Sequence, residues 1–342
     1  MATYKGIQGY SVQKLSEDPS PTSNYIGQMW YNSSSGKFKL SVQGAAAWSA
    51  GSDLNTGRRR AGGTGPSSSA ILAGGYPPGG APSVTLTETY NGTAWTEVTN
   101  VPLAPGWPGT TNPGFSGTST AALYISGDQG PSPTNASMIY NGTGWTTVAY
   151  RNNSTPTQSI MRCNGCGTTT ATLTTAGENI PAPGYVNVTE SYNGTAWTEL
   201  TAYPLTMQGV EIMGTTASAV ACGGYPPPAS NQGADWDGTS WAVGTVMNTS
   251  RSEFGSMHNS PVTDCGVFGG FTGTPGGTVN TELWNGSSWT ETSNLGTGRY
   301  SVVGGGTTGA GICAGGYSPG TVFLATEEFD NAPVSVKTVT VS

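Results

Sequence analysis

The sequence predicts an all-β chain built from six copies of one strand-and-turn unit, on three observations. First, a tryptophan follows a glycine turn six times, at Trp48, Trp95, Trp145, Trp197, Trp241 and Trp289, with gaps of 47, 50, 52, 44 and 48 residues. Second, five of these close near-copies of one phrase: Tyr90-Asn91-Gly92-Thr93-Ala94-Trp95, Tyr140 to Trp145, Tyr192 to Trp197, Trp236 to Trp241 and Trp284 to Trp289. Third, a diglycine recurs at Gly74-Gly75, Gly223-Gly224, Gly269-Gly270 and Gly315-Gly316, with Ser126-Gly127 and Ala176-Gly177 as weaker forms. No segment carries helical periodicity. Repeats of this length, made of strand and turn signals, mark a β-propeller.

Each element follows from local chemistry. Residues 1–40 stand outside the repeat as an attachment segment: Ser16 to Pro21 is an extended linker and Gly27 to Leu40 a small hairpin. Val42 to Trp48 is an outer strand with no inner strands before it. In the template blade, Ser68 to Gly75 is an inner strand ending in the diglycine, and Val84 to Tyr90 is the next strand. Asn91-Gly92 predicts a type I′ hairpin turn. Thr93 to Val98 returns as the outer strand, with Trp95 packed between neighbouring blades, a burial that stabilises by about 1.5–3 kcal/mol or more. An arginine precedes the first strand of a blade at Arg58–Arg60, Arg251 and Arg299; the blades around 127 and 177 lack both it and the diglycine. After Trp289 the last blade ends at Glu327-Glu328-Phe329-Asp330 without a tryptophan strand. The strand at Val42–Trp48 supplies it, so the sequence predicts six blades over 41–331 with the ring closed by an N-terminal outer strand, which removes exposed sheet edges. The tail, 332–342, alternates strictly and reads as a strand in need of a partner.

Composition narrows the function classes. Charge is sparse at 9%, with a formal net of −7 and a single short basic run, Arg58–Arg60, which argues against nucleic-acid binding. All five lysines lie near the ends, at Lys5, Lys14, Lys37, Lys39 and Lys337; residues 40–336 hold 7 Arg against 17 Asp and Glu, or about −10. The ends therefore do a different job from the ring. The opening residues predict no secretory leader, and no apolar stretch predicts membrane insertion. Five cysteines leave one unpaired in any disulfide set; Cys222, Cys265 and Cys313 read as small buried apolar residues. Cys163-Asn164-Gly165-Cys166 lacks a second pair or a histidine partner and predicts no metal site.

The diglycine, the aromatic after it and the spaced tryptophan resemble the kelch repeat over about residues 45–331. The wording Thr-Glu-Thr-Tyr-Asn-Gly-Thr-Ala-Trp at 87–95 and Thr-Glu-Ser-Tyr-Asn-Gly-Thr-Ala-Trp at 189–197 looks like kelch-type virion structural proteins of marine bacteriophages, cyanophage-like in character. Gly27-Gln28-Met29-Trp30-Tyr31-Asn32 also resembles a segment of phage virion proteins. The resemblance implies a six-bladed kelch-like propeller on the particle surface, docked to other virion proteins through its termini and able to form homo-oligomers there. Tail fibre, receptor-binding tip and capsid decoration all fit.

No catalytic residue or cofactor is predicted. The copper site of galactose oxidase, a kelch enzyme, uses two histidines, whereas this chain has only His258, and no nucleophile elbow is present. Asp237-Gly238-Thr239-Ser240-Trp241 comes close to the sialidase turn but is one residue shorter. A binding role rests on the residues after each diglycine-like pair: Tyr76, Asp128, Glu178, Tyr225, Phe271 and Tyr317. By blade symmetry they share one face, with Trp107 emerging beside them and proline-rich loops at 77–78 and 226–228 keeping that face stiff. These aromatics either stack on a host-surface glycan or another virion protein, or pack against adjacent blades. A free carbohydrate-binding propeller lectin is the alternative function.

Overall fold

The computed structural model describes residues 12–19, 27–79, 82–102, 109–127, 134–152, 159–180, 184–225, 229–244, 246–331 and 334–340. Among them there is no helix. The chain divides into two compact units: Trp48–Asp330, and a smaller one formed by Met1–Ala47 with Asn331–Ser342.

The larger unit is β-propeller-like, a succession of antiparallel sheets whose strands, in the first five, run inner to outer in chain order. The first holds Gly62–Thr64, Ala70–Ala73, Thr87–Tyr90 and Trp95–Val98; the second Gly114–Thr118, Ala121–Gly127, Thr134–Tyr140 and Trp145–Tyr150. In the third, Ser159–Met161 and Gly165–Thr168 both pair with Ala171–Ile180, followed by Gly184–Tyr192 and Trp197–Glu199. The fourth is Glu211–Gly214, Ala219–Cys222, Gly233–Trp236 and Trp241–Val243, and the fifth Gly255–Ser256, Cys265–Phe268, Thr281–Trp284 and Trp289–Glu291. In the sixth, Val303–Thr307, Ala310–Ala314 and Thr326–Asp330 are completed by Ala47–Ala50 from the start of the chain. A strand lies inside the diglycine strand in each sheet, so Ala70–Ala73 is second, not innermost. The innermost strands are glycine-rich because backbones meet there: a Cβ on Gly305 would stand 2.6 Å from the Gly65 carbonyl.

Backbone hydrogen bonds link consecutive sheets at equivalent positions. The N–H of Asn112 donates to the carbonyl of Arg60 (2.8 Å), Arg162 to Asn112 (3.1 Å), Gly209 to Arg162 (2.8 Å), Ser301 to Glu253 (2.7 Å) and Arg60 to Ser301 (3.0 Å). The tryptophans repeat this linkage farther out. Trp95 Nε1 donates to Thr326 Oγ1, Trp48 to Thr281 Oγ1 and Trp241 to Thr189 Oγ1, each at 2.9 Å, and Trp197 donates to Ser137 Oγ at 3.0 Å. Each acceptor belongs to the third strand of the preceding sheet, the sixth preceding the first. Two links fail for identifiable reasons. Where Trp289 would find a hydroxyl, Gly233 stands, and among the described residues the Trp289 Nε1 has no partner. Trp145 donates instead to the Thr99 carbonyl (3.0 Å), and Thr87 Oγ1 has no partner among the described residues.

The glycine turns differ from the expected type I′. Only the glycine has positive φ (Gly92, +89°), and Asn91 does not. The loop spans 91–94: Asn91 N–H donates to the Ala94 carbonyl (3.3 Å), while Asn91 Oδ1 accepts from the backbone N–H of Thr93 and of Ala94 and from the Thr93 hydroxyl. An Asx loop of this kind satisfies those donors locally, so the tighter turn has nothing to offer. Asn141, Asn193, Asp237 and Asn285 do the same. These bonds hold the Asp237 carboxyl down at about 2.

The arginines that open blades are structural. Arg251 donates to the carbonyls of Gly269 (2.9 Å) and Asn280 (2.8 Å) and to Glu282 (2.5 Å); Arg58 and Arg299 make the same contacts to Gly74, Leu86 and Glu88, and to Gly315, Ala325 and Glu327. The expectation that the third blade lacks this arginine is corrected. Arg151, nine residues upstream of the equivalent position, reaches Glu190 at 2.6 Å and donates to Cys163 Sγ at 3.0 Å. All five cysteines are free and buried, and Cys163 is thereby spoken for. The diglycine conformation also survives without diglycine, since Ser126 (φ 55°) and Ala176 (φ 59°) adopt the left-handed backbone of Gly74 (φ 73°).

The smaller unit is one sheet. Gln13–Leu15 runs parallel to Met29–Asn32, which pairs antiparallel with Lys37–Gln43, and that strand takes the tail strand Val334–Thr338 on its other edge. Trp30 is buried, its Nε1 donating to Asp18 Oδ1 (3.1 Å).

Candidate functional site

The positions joined by the inner backbone bonds have an unusual conformation. Arg60, Asn112, Arg162, Glu253 and Ser301 all have φ between 50° and 56°, and Gly209 has 64°. Left-handed backbone costs a side-chain-bearing residue about 1 kcal/mol or more, and glycine adopts it freely. Five of six positions nevertheless carry a polar side chain. Strain retained at equivalent places points to a use for those side chains.

They converge. Arg60 pairs with Glu253 (2.9 Å), Arg162 stands 3.8 Å from the same carboxylate and 3.5 Å from Glu178, and the Ser301 hydroxyl donates to Glu253 Oε2. Burial alone would raise the Glu253 carboxyl, but Arg60, Ser301 and Arg162 together hold it below its usual range. Above Gly209, which offers no side chain to fill the space, lies a cavity of about 320 Å³. Its walls are Tyr225, Phe271 and Tyr300 with Gln208, Arg60, Arg162 and Glu253. A smaller hollow of about 100 Å³ continues past Gly209 to Asn164 and Glu211. Burial pushes the Glu211 carboxyl up to about 7, although Ser256 Oγ (2.5 Å) and Asn164 Nδ2 (2.7 Å) donate to it. Nearby His258 is held neutral by burial, its pKa lowered to about 4, between Thr64 Oγ1 (3.1 Å) and Ser256 Oγ (3.4 Å). Among the described residues no three His, Cys, Asp or Glu side chains converge as metal ligands.

The residues picked from the sequence fall in three groups. Tyr225 and Phe271 line the cavity, and Glu178 holds Arg162 at its edge. Tyr76 and Tyr317 are half-buried and flank the Arg59 guanidinium, at 5.6 and 4.6 Å from their ring centres. Trp107 and Asp128 lie outside the described residues. The aromatics also pack on one another: Tyr225 against Tyr185, Phe271 against Tyr300, and Tyr300 against Tyr317. Sequence reasoning counts Arg60 only among the arginines that precede a blade, and misses Arg162, Glu253, Gln208, Tyr300 and Glu211. Their signal is positional, because 60, 112, 162, 209, 253 and 301 keep the repeat spacing while their chemistry changes from blade to blade.

No family model and no curated protein matches this sequence. The solved structure of the bacterial protein YjhT is similar, with a TM-score of 0.66 at 12% identity over 84% of this chain and 99% of that one. At that identity the likeness concerns the fold alone.

Proposed function

We propose that this chain is a non-enzymatic structural protein of a bacteriophage particle, displaying a six-bladed kelch-like propeller whose ring is closed by Ala47–Ala50 and anchored by the terminal sheet. The observation that carries the anchoring is the segregation of the two ends. All five lysines and both termini belong to the smaller unit, and the larger one contains no lysine. On one face of the terminal sheet Met29 and Phe38 are 42% and 46% exposed, and Tyr31 packs on Phe38 (5.3 Å). The register sets Lys14 beside Tyr31 and Lys337 beside Leu40 on that face, so lysines frame an apolar patch suited to another virion protein. The order of the sheets and the inner hydrogen bonds from one to the next support six blades. The repeat wording at 87–95 and 189–197 supports the phage assignment, and the packing role of buried His258 supports the non-enzymatic one.

The alternative is a free propeller lectin, favoured by the aromatic-walled cavity. Deleting residues 1–46 separates the two. A virion component then stays folded but is lost from purified particles, as followed by mass spectrometry, whereas a free lectin keeps whatever ligand binding it has and has no particle to leave.

A further inference from the structure

We propose that the cavity over Gly209 is a binding site for one neutral sugar ring of a surface glycan. The proposal deepens the display reading above by naming what the displayed face takes.

Three observations carry it. The first is charge. Arg60 and Arg162 line the cavity with Glu253, and Glu178 stands 3.5 Å from Arg162 at its edge, so each guanidinium already has a carboxylate partner and neither is left over to pair with an ionised ligand. The second is Gln208. Its residue is 5% exposed and lines the cavity, yet among the described residues its carboxamide Oε1 has no hydrogen-bond partner. A buried carboxamide oxygen left open calls for a donor. A sugar hydroxyl donates to it and, through its own oxygen, accepts from a guanidinium; an ionised carboxylate group cannot donate. The third is shape. Tyr225, Phe271 and Tyr300 are half-buried, locked by their neighbours, and leave about 320 Å³, within the range of small-molecule sites. Apolar ring faces beside fixed donors and acceptors suit a pyranose, which has C–H faces and an equatorial rim of hydroxyls.

Gly209 makes the proposal testable with little damage to the fold. At the equivalent place Asn112 carries a side chain at φ 52°, and a Cβ on Gly209 meets nothing closer than 3.9 Å. Gly209→Asn therefore plugs the cavity from its floor. Gln208→Met removes the open acceptor at nearly constant volume.

The experiment uses the full chain and ligand-observed saturation-transfer NMR, with titration, on the methyl glycosides of glucose, galactose and mannose, and on methyl glucuronide as the ionised control. The expected result is that at least one neutral glycoside binds, that methyl glucuronide binds more weakly than its glucose counterpart, and that both variants weaken binding about tenfold or more, the loss of a buried hydrogen bond. Melting temperatures of both stay within about 2 °C of the wild type. Tighter binding of the glucuronide, binding that survives in Gly209→Asn, or no binding by any neutral glycoside each overturns the proposal. None of these outcomes bears on anchoring, which the terminal deletion tests separately.

Discussion

Four sheets of the larger unit hold a buried arginine–glutamate pair and two do not. The first, third, fifth and sixth sheets each hold a buried arginine against a glutamate, at 2.5 to 2.6 Å. Each glutamate also accepts a backbone N–H from the connection entering its sheet, at Asn55, Asn152, Asn248 or Gly296. In the second and fourth sheets the glutamate position holds Met138 or Ala234, and the arginine position Thr110 or Met207. The pair is present or absent as a unit. A half-pair would leave a buried charge alone, which is the costly state; an apolar replacement of both members is not. The fourth sheet also shows the cost of an unpaired group. Glu211, a half-buried residue with only Ser256 and Asn164 as side-chain donors, is pushed up to about 7 by desolvation of its carboxyl.

The sharpest way to break this comparison is to make a half-pair. Glu282→Ala leaves Arg251 buried beside two carbonyls and should cost about 3–5 kcal/mol in chemical denaturation. Adding Arg251→Met gives this sheet the composition of the fourth, and most of that loss should return. A double variant no more stable than the single one would mean that the arginine's carbonyl contacts, not its charge balance, hold the sheet.

Glu211 gives the next largest effect. Its folded pKa lies above its unfolded value, so its stabilising proton is fully present below about pH 4.5 and is lost as the pH rises through about 7. His258 acts in the opposite sense: its folded value is depressed to about 4, so its contribution is present above about 6.5 and lost as the pH falls. The two slopes oppose each other between about 4.5 and 6.5. Glu211→Gln removes only the first. Relative to the wild type it should gain about 2–3 kcal/mol between pH 5 and pH 8, read from denaturation curves at both. A constant difference across that range would refute the assignment.

The smallest effect concerns hydroxyls. Thr326→Val removes the partner of Trp95 Nε1 and should cost about 1 kcal/mol. Thr87→Val, at the equivalent place in the next sheet, removes a hydroxyl with no partner among the described residues and should be neutral or slightly stabilising. Equal losses would show that the tryptophan bonds add nothing.

The sequence made the sheets legible because tryptophan, the Asx loop and the diglycine strand each depend on neighbours a few residues away. Symmetry alone also led to Tyr225 and Phe271, two of the residues that line the cavity. Arg151 stayed hidden because it reaches Glu190 from outside the repeat position. The polar ring stayed hidden for the opposite reason: its positions repeat, but Arg, Asn, Arg, Gly, Glu and Ser share no chemistry to recognise. What unites them is a left-handed backbone, which no residue type among them announces.

The central claim is that the ring is shut by a strand from the beginning of the chain. Two truncations test it directly, one comprising 45–331 and the other 52–331, compared by thermal unfolding. The first keeps Ala47–Ala50 with the Trp48 bond to Thr281 and should melt cooperatively close to the intact chain. The second loses both and should melt at least about 10 °C lower or aggregate through its bared edge. Matching melting curves for the two would contradict closure by that strand.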